Sequence, residues 1–273
     1  MDRYLFSSDM DGTILNQDHQ LSESTIQHIR ALVNEGHIFV LNTGRPYQGM
    51  FHFKEQLNVD CPYICDNGAS IYWDNHPDFP VFFSVKKELV QELFGKLHDL
   101  LVCAMLTAHR KYYFQNRQFV PSFLVHIDGY TTVSEGKIQE IVDEDILSMT
   151  VHVKRERLED FGNVLRAYPS LRTRFWGEYD GICAFDIYSE HADKGLALTY
   201  LKEYLHIPPN QTLGFGDELN DAELLCHADY GIAMCNACEE LKKVSDDITE
   251  KPHYEDGVCD YIFKFLQSAR KKV

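Results

Sequence analysis

What most constrains this chain is an alternation of strand-like and helix-like stretches that stops and later resumes. "YLFSS" is a short apolar run of the kind a fully buried strand needs. "SESTIQHIRALVNEG" follows, with Ile26, Ile29, Leu32 and Val33 on one helical face, Ser22 suited to cap its start and Gly36 to stop it. "HIFVLNT" reads as the next strand, "RPYQGMFHFKEQL" as a helix with Pro46 near its first turn, and "PYICDNG" as a third strand. Strands separated by amphipathic helices imply parallel βαβ units, with helices covering both faces of the sheet.

From about Trp73 to Tyr188 the texture changes. "VFFSV", "LVCAMLT", "KYYFQN", "LSMTVHV", "RTRFWGE" and "ICAFDIY" read as amphipathic, hairpin-like strands. Two helical stretches, "KKELVQELFGKLHD" and "RERLEDFGNVLRAY", interrupt them. This is the pattern of a largely antiparallel sheet with helices on one face. After residue 190 the first pattern returns: helix "KGLALTYLKEYL", strand "TLGFGD", helix "NDAELLCHA", strand "YGIAM", helices "CEELKKV" and "GVCDYIFKFLQSA". The expectation is an α/β fold, a doubly wound Rossmann-like parallel sheet formed by residues 1–80 and 190–273. An α+β domain, residues 81–189, is inserted into it.

Composition narrows the partners. Forty-two acidic residues against 26 basic ones give a net charge of −16, which repels nucleic acid and anionic membrane. The one dense basic run is the terminal "ARKKV". No stretch reaches the ~20 apolar residues that span a bilayer, and "MDRYLF" lacks the core of a signal peptide. Eight scattered cysteines lack the density of a disulfide scaffold, so the expectation is a reduced, cytoplasmic protein, monomeric or weakly dimeric. Cys235 and Cys238 in "CNAC" have redox or zinc spacing, but no second Cys or His pair accompanies them.

In an open parallel sheet, ligands bind beyond the carboxyl ends of the strands, and the unusual polar residues fall there. Asp9 and Asp11 follow the first strand, Thr43, Gly44 and Arg45 the second, Asp66, Asn67 and Gly68 the third. Asp217 and Asp221 follow a late strand, and Lys194 opens the helix after the insertion. Two unit charges ~4 Å apart at an effective dielectric of ~20 repel by about 4 kcal/mol. Asp9, Asp11, Asp217 and Asp221 around one pocket therefore need protons or a divalent cation. Oxygen ligands without His or Cys favour Mg²⁺, which also binds substrate phosphate.

"DMDGT", "NTGR", "DKG" and "GDELND", in this order and spacing, resemble the four motifs of the haloacid dehalogenase superfamily of phosphotransferases. The insertion between "NTGR" and "DKG" resembles the type-two, subtype B cap of the Cof-like sugar-phosphate phosphatases, as do "DNGA" and "GIAMCNACEELK". Cys235 departs from the glycine usual at that position. The resemblance implies a Mg²⁺-dependent phosphatase of small phosphorylated metabolites, with the cap setting specificity.

It makes Asp9 the nucleophile that forms an aspartyl-phosphate and Asp11 the acid that protonates the leaving oxygen, then the base that activates water. Thr43 and Lys194 complete the catalytic set by facing the phosphoryl oxygens. Asp217, the Asp9 carboxylate and the Asp11 carbonyl hold the metal, while Asp221 ligates it or holds a metal-bound water. Met10, Gly12, Gly44 and Asn220 belong to the phosphate and substrate surround, Asn220 bonding either phosphate or Lys194. Arg45 and Asn67 either touch the substrate or support their loops. In the cap, Arg172, Arg174, Trp176 and Asp186 are candidates for specificity whose plainer reading is ordinary strand residues. Two alternatives share the motifs: a phosphohexose mutase, which needs a cluster of basic residues in the cap, and a regulator that is phosphorylated on Asp9 or binds a sugar phosphate without turnover.

Overall fold

The computed structural model describes residues 3–125 and 131–270. The first part of the chain gives β1 (Leu5–Ser8), α1 (Glu23–Asn34), β2 (Ile38–Asn42), α2 (Phe51–Leu57), β3 (Tyr63–Cys65), β4 (Ser70–Tyr72) and β5 (Val81–Phe82). Every residue of β1 and β2 is buried, as expected of strands covered on both faces. Ser22 caps α1, its side chain accepting from the Thr25 N–H at 2.9 Å, and Ile26, Ile29 and Leu32 are buried beneath that helix.

Two details depart from the sequence expectation. The helix expected from Pro46 begins as a 3-10 turn over Tyr47–Met50, and α2 proper follows it. The chain also doubles back after β3, because Asp66, Asn67 and Gly68 all take positive φ (52°, 54° and 95°). Asp, Asn and Gly are the residues that tolerate this conformation, and the reversal lays β4 antiparallel on β3.

The inserted segment contains α3 (Lys87–Leu97), β6 (Leu101–Thr107), β7 (Lys111–Gln115), β8 (Thr132–Glu135), α4 (Ile138–Ile141), β9 (Ser148–Lys154), α5 (Leu158–Leu165), β10 (Leu171–Tyr179) and β11 (Ile182–Ser189). Its six described strands run in the order β10-β11-β9-β6-β7-β8. All their pairings are antiparallel except β7 with β8. Val90, Leu93 and Phe94 of α3, Ile138 of α4 and Phe161 of α5 share one core with Leu106, Tyr113, Met149 and Val151 of the sheet. The three helices therefore lie on one face. Met105, Tyr112, Phe114 and Leu124 form a separate apolar cluster. Neither β8 nor α4, at four residues each, is long enough to show a period in the sequence.

The chain then returns with α6 (Lys194–Tyr204), β12 (Thr212–Gly216), α7 (Ala222–His227), β13 (Tyr230–Ala233), α8 (Glu239–Lys242), β14 (Asp247–Ile248) and α9 (Gly257–Arg270). The first sheet has eight described strands, β14-β13-β12-β1-β2-β3-β4-β5, parallel from β14 to β3. β1 lies at its middle, with Ser8 opposite Leu41 on one side and Phe215 on the other. "VFFSV" contributes β5 to this sheet rather than a strand to the insertion. α1 packs with α2 and α9, and α6 packs with α7. The chain divides into two compact units, Met1–Arg45 with Met50–Val81 and Asp193–Val273, and Pro46–Gly49 with Phe82–Ala192. Among the described residues no helix is long and apolar enough to cross a membrane. Residues 271–273 of the basic tail lie outside the described residues.

Candidate active site

The ends of β1 and β12 are neighbours, and Asp9 and Asp217 are the residues that follow them. Oxygens of Asp9, Asp217 and Asp221 lie within 4.8 Å of one another. The cation among them is Lys194, the first residue of α6, which is only 1% exposed. Its Nζ donates to Asp9 Oδ1 at 2.5 Å and to Asp221 Oδ1 at 2.6 Å. Asp221 Oδ2 accepts from the N–H groups of Asp217 and Glu218 at 3.0 and 3.2 Å, so both its oxygens are engaged. Thr13 Oγ1 donates to Asp217 Oδ1 at 2.8 Å.

Fully ionised, three carboxylates against one ammonium would carry two negative charges in excess, and the cluster resists that state. Asp9 is raised to about 8, first by burial, with Lys194 opposing and Asp221 and Asp217 adding. Asp217 is likewise raised to about 7, first by burial, with Thr13 opposing and Asp221 and Glu218 adding. Burial alone would lower Lys194, but Asp221 and Asp9 raise it above its ordinary value, so it stays an ammonium. Gly12 makes the approach of the two loops possible: at φ +77°, a Cβ there would lie 2.2 Å from Asp217 Oδ2. The Gly12 carbonyl accepts from Asn236 Nδ2 at 2.8 Å, and the Asp217 carbonyl from the Cys238 N–H at 2.9 Å. The "CNAC" segment thus braces both loops; its two cysteines are free thiols.

Asp11 stands apart. Arg45 grips its carboxylate as a fork, Nε to Oδ2 at 2.8 Å and Nη2 to Oδ1 at 2.6 Å, and His19 Nδ1 lies 3.0 Å from Oδ1. Partial burial would raise Asp11, but the bonds and charge of Arg45, with those of His19, outweigh it and hold the carboxyl below its ordinary range. Thr43, buried, accepts from the Arg45 N–H at its Oγ1 (3.1 Å), and its carbonyl accepts from the Asn67 N–H (3.1 Å). Asn67 Oδ1 in turn lies 3.5 Å from Asn220 Nδ2, and Gly44 faces the same amide. Met10 is fully buried, and its carbonyl accepts from the N–H groups of Thr13, Ile14 and Leu15, which closes the loop after Asp9.

The sequence-predicted residues of the first unit therefore gather in three clusters, around Asp9, around Asp11 and around Asn67. Sequence reasoning missed His19 and Asn236. The signal for the first was Asn16, a residue that closes tight turns through its own side chain. In the second unit, Asp186 is buried against Thr150 Oγ1 (2.8 Å) and Trp176 Nε1 (2.7 Å), and Arg174 is its partner in the β10–β11 register.

Buried carboxylates and a lysine meet beyond the carboxyl edge of a parallel sheet, where open α/β sheets bind their ligands. The family model for haloacid dehalogenase-like hydrolases matches residues 6–262, and the chain belongs to that family. Within it, the chain is a phosphatase, the activity for which several curated relatives are named. It is 27% identical to the 5-amino-6-(5-phospho-D-ribitylamino)uracil phosphatase YitU of Bacillus subtilis, over 96% of this chain and 97% of that protein. Its fold is similar to that of a haloacid dehalogenase-like hydrolase from Bacteroides thetaiotaomicron (TM-score 0.80, 21% identity, 97% of this chain and 100% of that one). It also matches the subclass IIB sugar phosphatase BT4131 (TM-score 0.75, 23% identity, 96% and 98%).

Proposed function

We propose that this phosphatase hydrolyses phosphate monoesters of small metabolites, sugar phosphates foremost, through an aspartyl-phosphate on Asp9 and with Mg²⁺ as cofactor. The observation that carries the reading is Asp9 itself, a buried carboxylate held by Lys194 among two further carboxylates. Support for the substrate class comes from YitU, whose named substrate bears its phosphate on a ribityl chain.

Asp9 attacks phosphorus, the bond from phosphorus to the leaving oxygen breaks, and Asp11 gives that oxygen its proton. Water then attacks the phosphoryl group on Asp9 while Asp11 takes a proton from it. Inorganic phosphate leaves, and both carboxyl groups end as they began. Arg45 and His19 favour ionised Asp11, the form the second step needs. Lys194 fixes the Asp9 carboxylate and, with Thr43, faces the phosphoryl oxygens; Met10 and Gly12 shape the loop around them, and Gly44, Arg45, Asn67 and Asn220 complete the substrate surround.

The donor set fits a hard divalent cation: all ligands are oxygens, and the two negative charges that the fully ionised cluster would carry match its charge. Asp9, Asp217 and the Asp11 carbonyl would hold it, with Asp221 supporting from behind. Bound there, it would neutralise charge on the phosphoryl group. The inserted domain, residues 81–189, selects the leaving group. Borohydride trapping followed by peptide mass analysis tests the mechanism. It should find homoserine at position 9 in the wild type and none in Asp9→Asn; a label at another residue would overturn the assignment.

A further inference from the structure

We propose that His19 is a positioning residue for Asp11, holding its carboxyl where the leaving oxygen is protonated and away from the neighbouring carboxylates. The proposal rests on the reading of Asp11 as acid and base. Asp11 is two residues from Asp9, yet its carboxylate is not among the three whose oxygens converge near Lys194. Arg45, at the end of β2, and His19, in the loop after β1, engage it instead. A guanidinium fork alone leaves the carboxylate free to follow the swing of one long side chain. A second donor on a different segment removes that freedom.

The loop is built to place this ring. Asn16 Oδ1 accepts from the N–H groups of Asp18 and Gln20, both at 3.0 Å. The Asn16 N–H donates to the Gln20 carbonyl at 2.9 Å, and the His19 N–H to the Asn16 carbonyl at 3.0 Å. His52 Nε2, on α2, lies 3.0 Å from Gln20 Oε1. The closed turn forces His19 to φ +55°, a left-handed conformation that a side chain bears with strain. Packing does not account for the ring, because the side chain is 71% exposed. What it gains there is the contact with Asp11. An exposed pair of this kind adds little to folding stability, so its loss is readable in turnover.

The variants follow from the backbone. His19→Gly removes the ring and accepts φ +55° without strain. His19→Asn also tolerates that conformation and carries an amide N–H two bonds from Cβ, close to where Nδ1 stands. Each is assayed beside Asp11→Asn on p-nitrophenyl phosphate, whose leaving group needs little acid, and on the sugar phosphate turned over fastest in a panel of hexose and pentose phosphates. His19→Gly should lower kcat on the sugar phosphate about tenfold, part of the 10²–10⁴ a general acid supplies, with KM unchanged. Formation of the phosphoenzyme from p-nitrophenyl phosphate should stay within about twofold of wild type, and His19→Asn should recover most of the lost kcat. Equal slowing of phosphoenzyme formation from both substrates, no slowing with either, or a failure of His19→Asn to recover would overturn the role of His19. If Asp11→Asn itself shows no dependence on the leaving group, the acid role of Asp11 falls first and the proposal with it.

Discussion

Both units of this protein bury aspartates, and Asp9 of the first and Asp186 of the second are buried for different ends. Asp9 is 7% exposed and Asp186 2%, and burial pushes both carboxyl groups up. Around Asp186 stand two neutral donors, Thr150 and Trp176, one for each oxygen, and the positive charge of Arg174, with no second carboxylate among the groups that shift it. Around Asp9 stand two more carboxylates and an ammonium. Burial therefore does not mark a functional carboxylate; the company of like charge does, since nothing in folding rewards it.

That contrast breaks if the two aspartates respond alike to removal of their charge. Asp9→Asn should lower turnover on the order of 10³-fold or more while the protein stays folded. Asp186→Asn should retain most of its turnover; equal losses would place Asp186 in the chemistry. Metal sharpens the contrast next. Chelation should abolish activity and Mg²⁺ restore it. Mg²⁺ at 100 times its Kd should stabilise the wild type by about 2.7 kcal/mol in thermal unfolding. Asp217→Ala should lose that shift and Asp186→Asn should keep it. Full activity in chelator would end the metal assignment.

Stability comes third. Asp186→Asn turns an acceptor into a donor facing Thr150 or Trp176, so urea unfolding should show a loss of about 1–3 kcal/mol. An unchanged midpoint would mean that those two bonds are not what holds the carboxylate. The smallest effect is its pH dependence. Because the folded value of Asp186 is raised, its contribution to stability is greatest below the ordinary carboxylate range and shrinks as pH rises through the folded value. The gap in stability between wild type and Asp186→Asn should therefore be wider at pH 4 than at pH 7. A gap that widens with pH would reverse the sign of the shift.

The sheet and the strand-end position of the polar residues were legible in the sequence, because strands of four or five apolar residues followed by capped helices leave a clear period. Asp9, Thr43, Asp66 and Asp217 could be placed there without coordinates. The orientation of side chains could not. Nothing in "DMDGT" says that Asp11 turns to Arg45, 34 residues away, while Asp9 turns to Lys194, 185 residues away. The short strands were illegible for a different reason: β4, β5, β8 and β14 have two to four residues and owe their existence to neighbours already in place. The reversal at Asp66–Gly68 lay in plain sight as "DNG", a turn sequence.

β1 sits between β2 and β12, and that order has a consequence for synthesis on the ribosome. β2 emerges soon after β1, but the residue that will hold Asp9 lies 185 positions later, behind the whole insertion. At ~5–20 residues per second, Asp9 waits about 10–40 s for Lys194. Through that interval β1 is paired on one edge alone, and an apolar strand with an open edge is what binds the wrong chain. For a nascent protein of this topology, the centre of the finished sheet stays open on one edge until the insertion has been made, and delayed translation of that segment lengthens its exposure to chaperones and to aggregation alike.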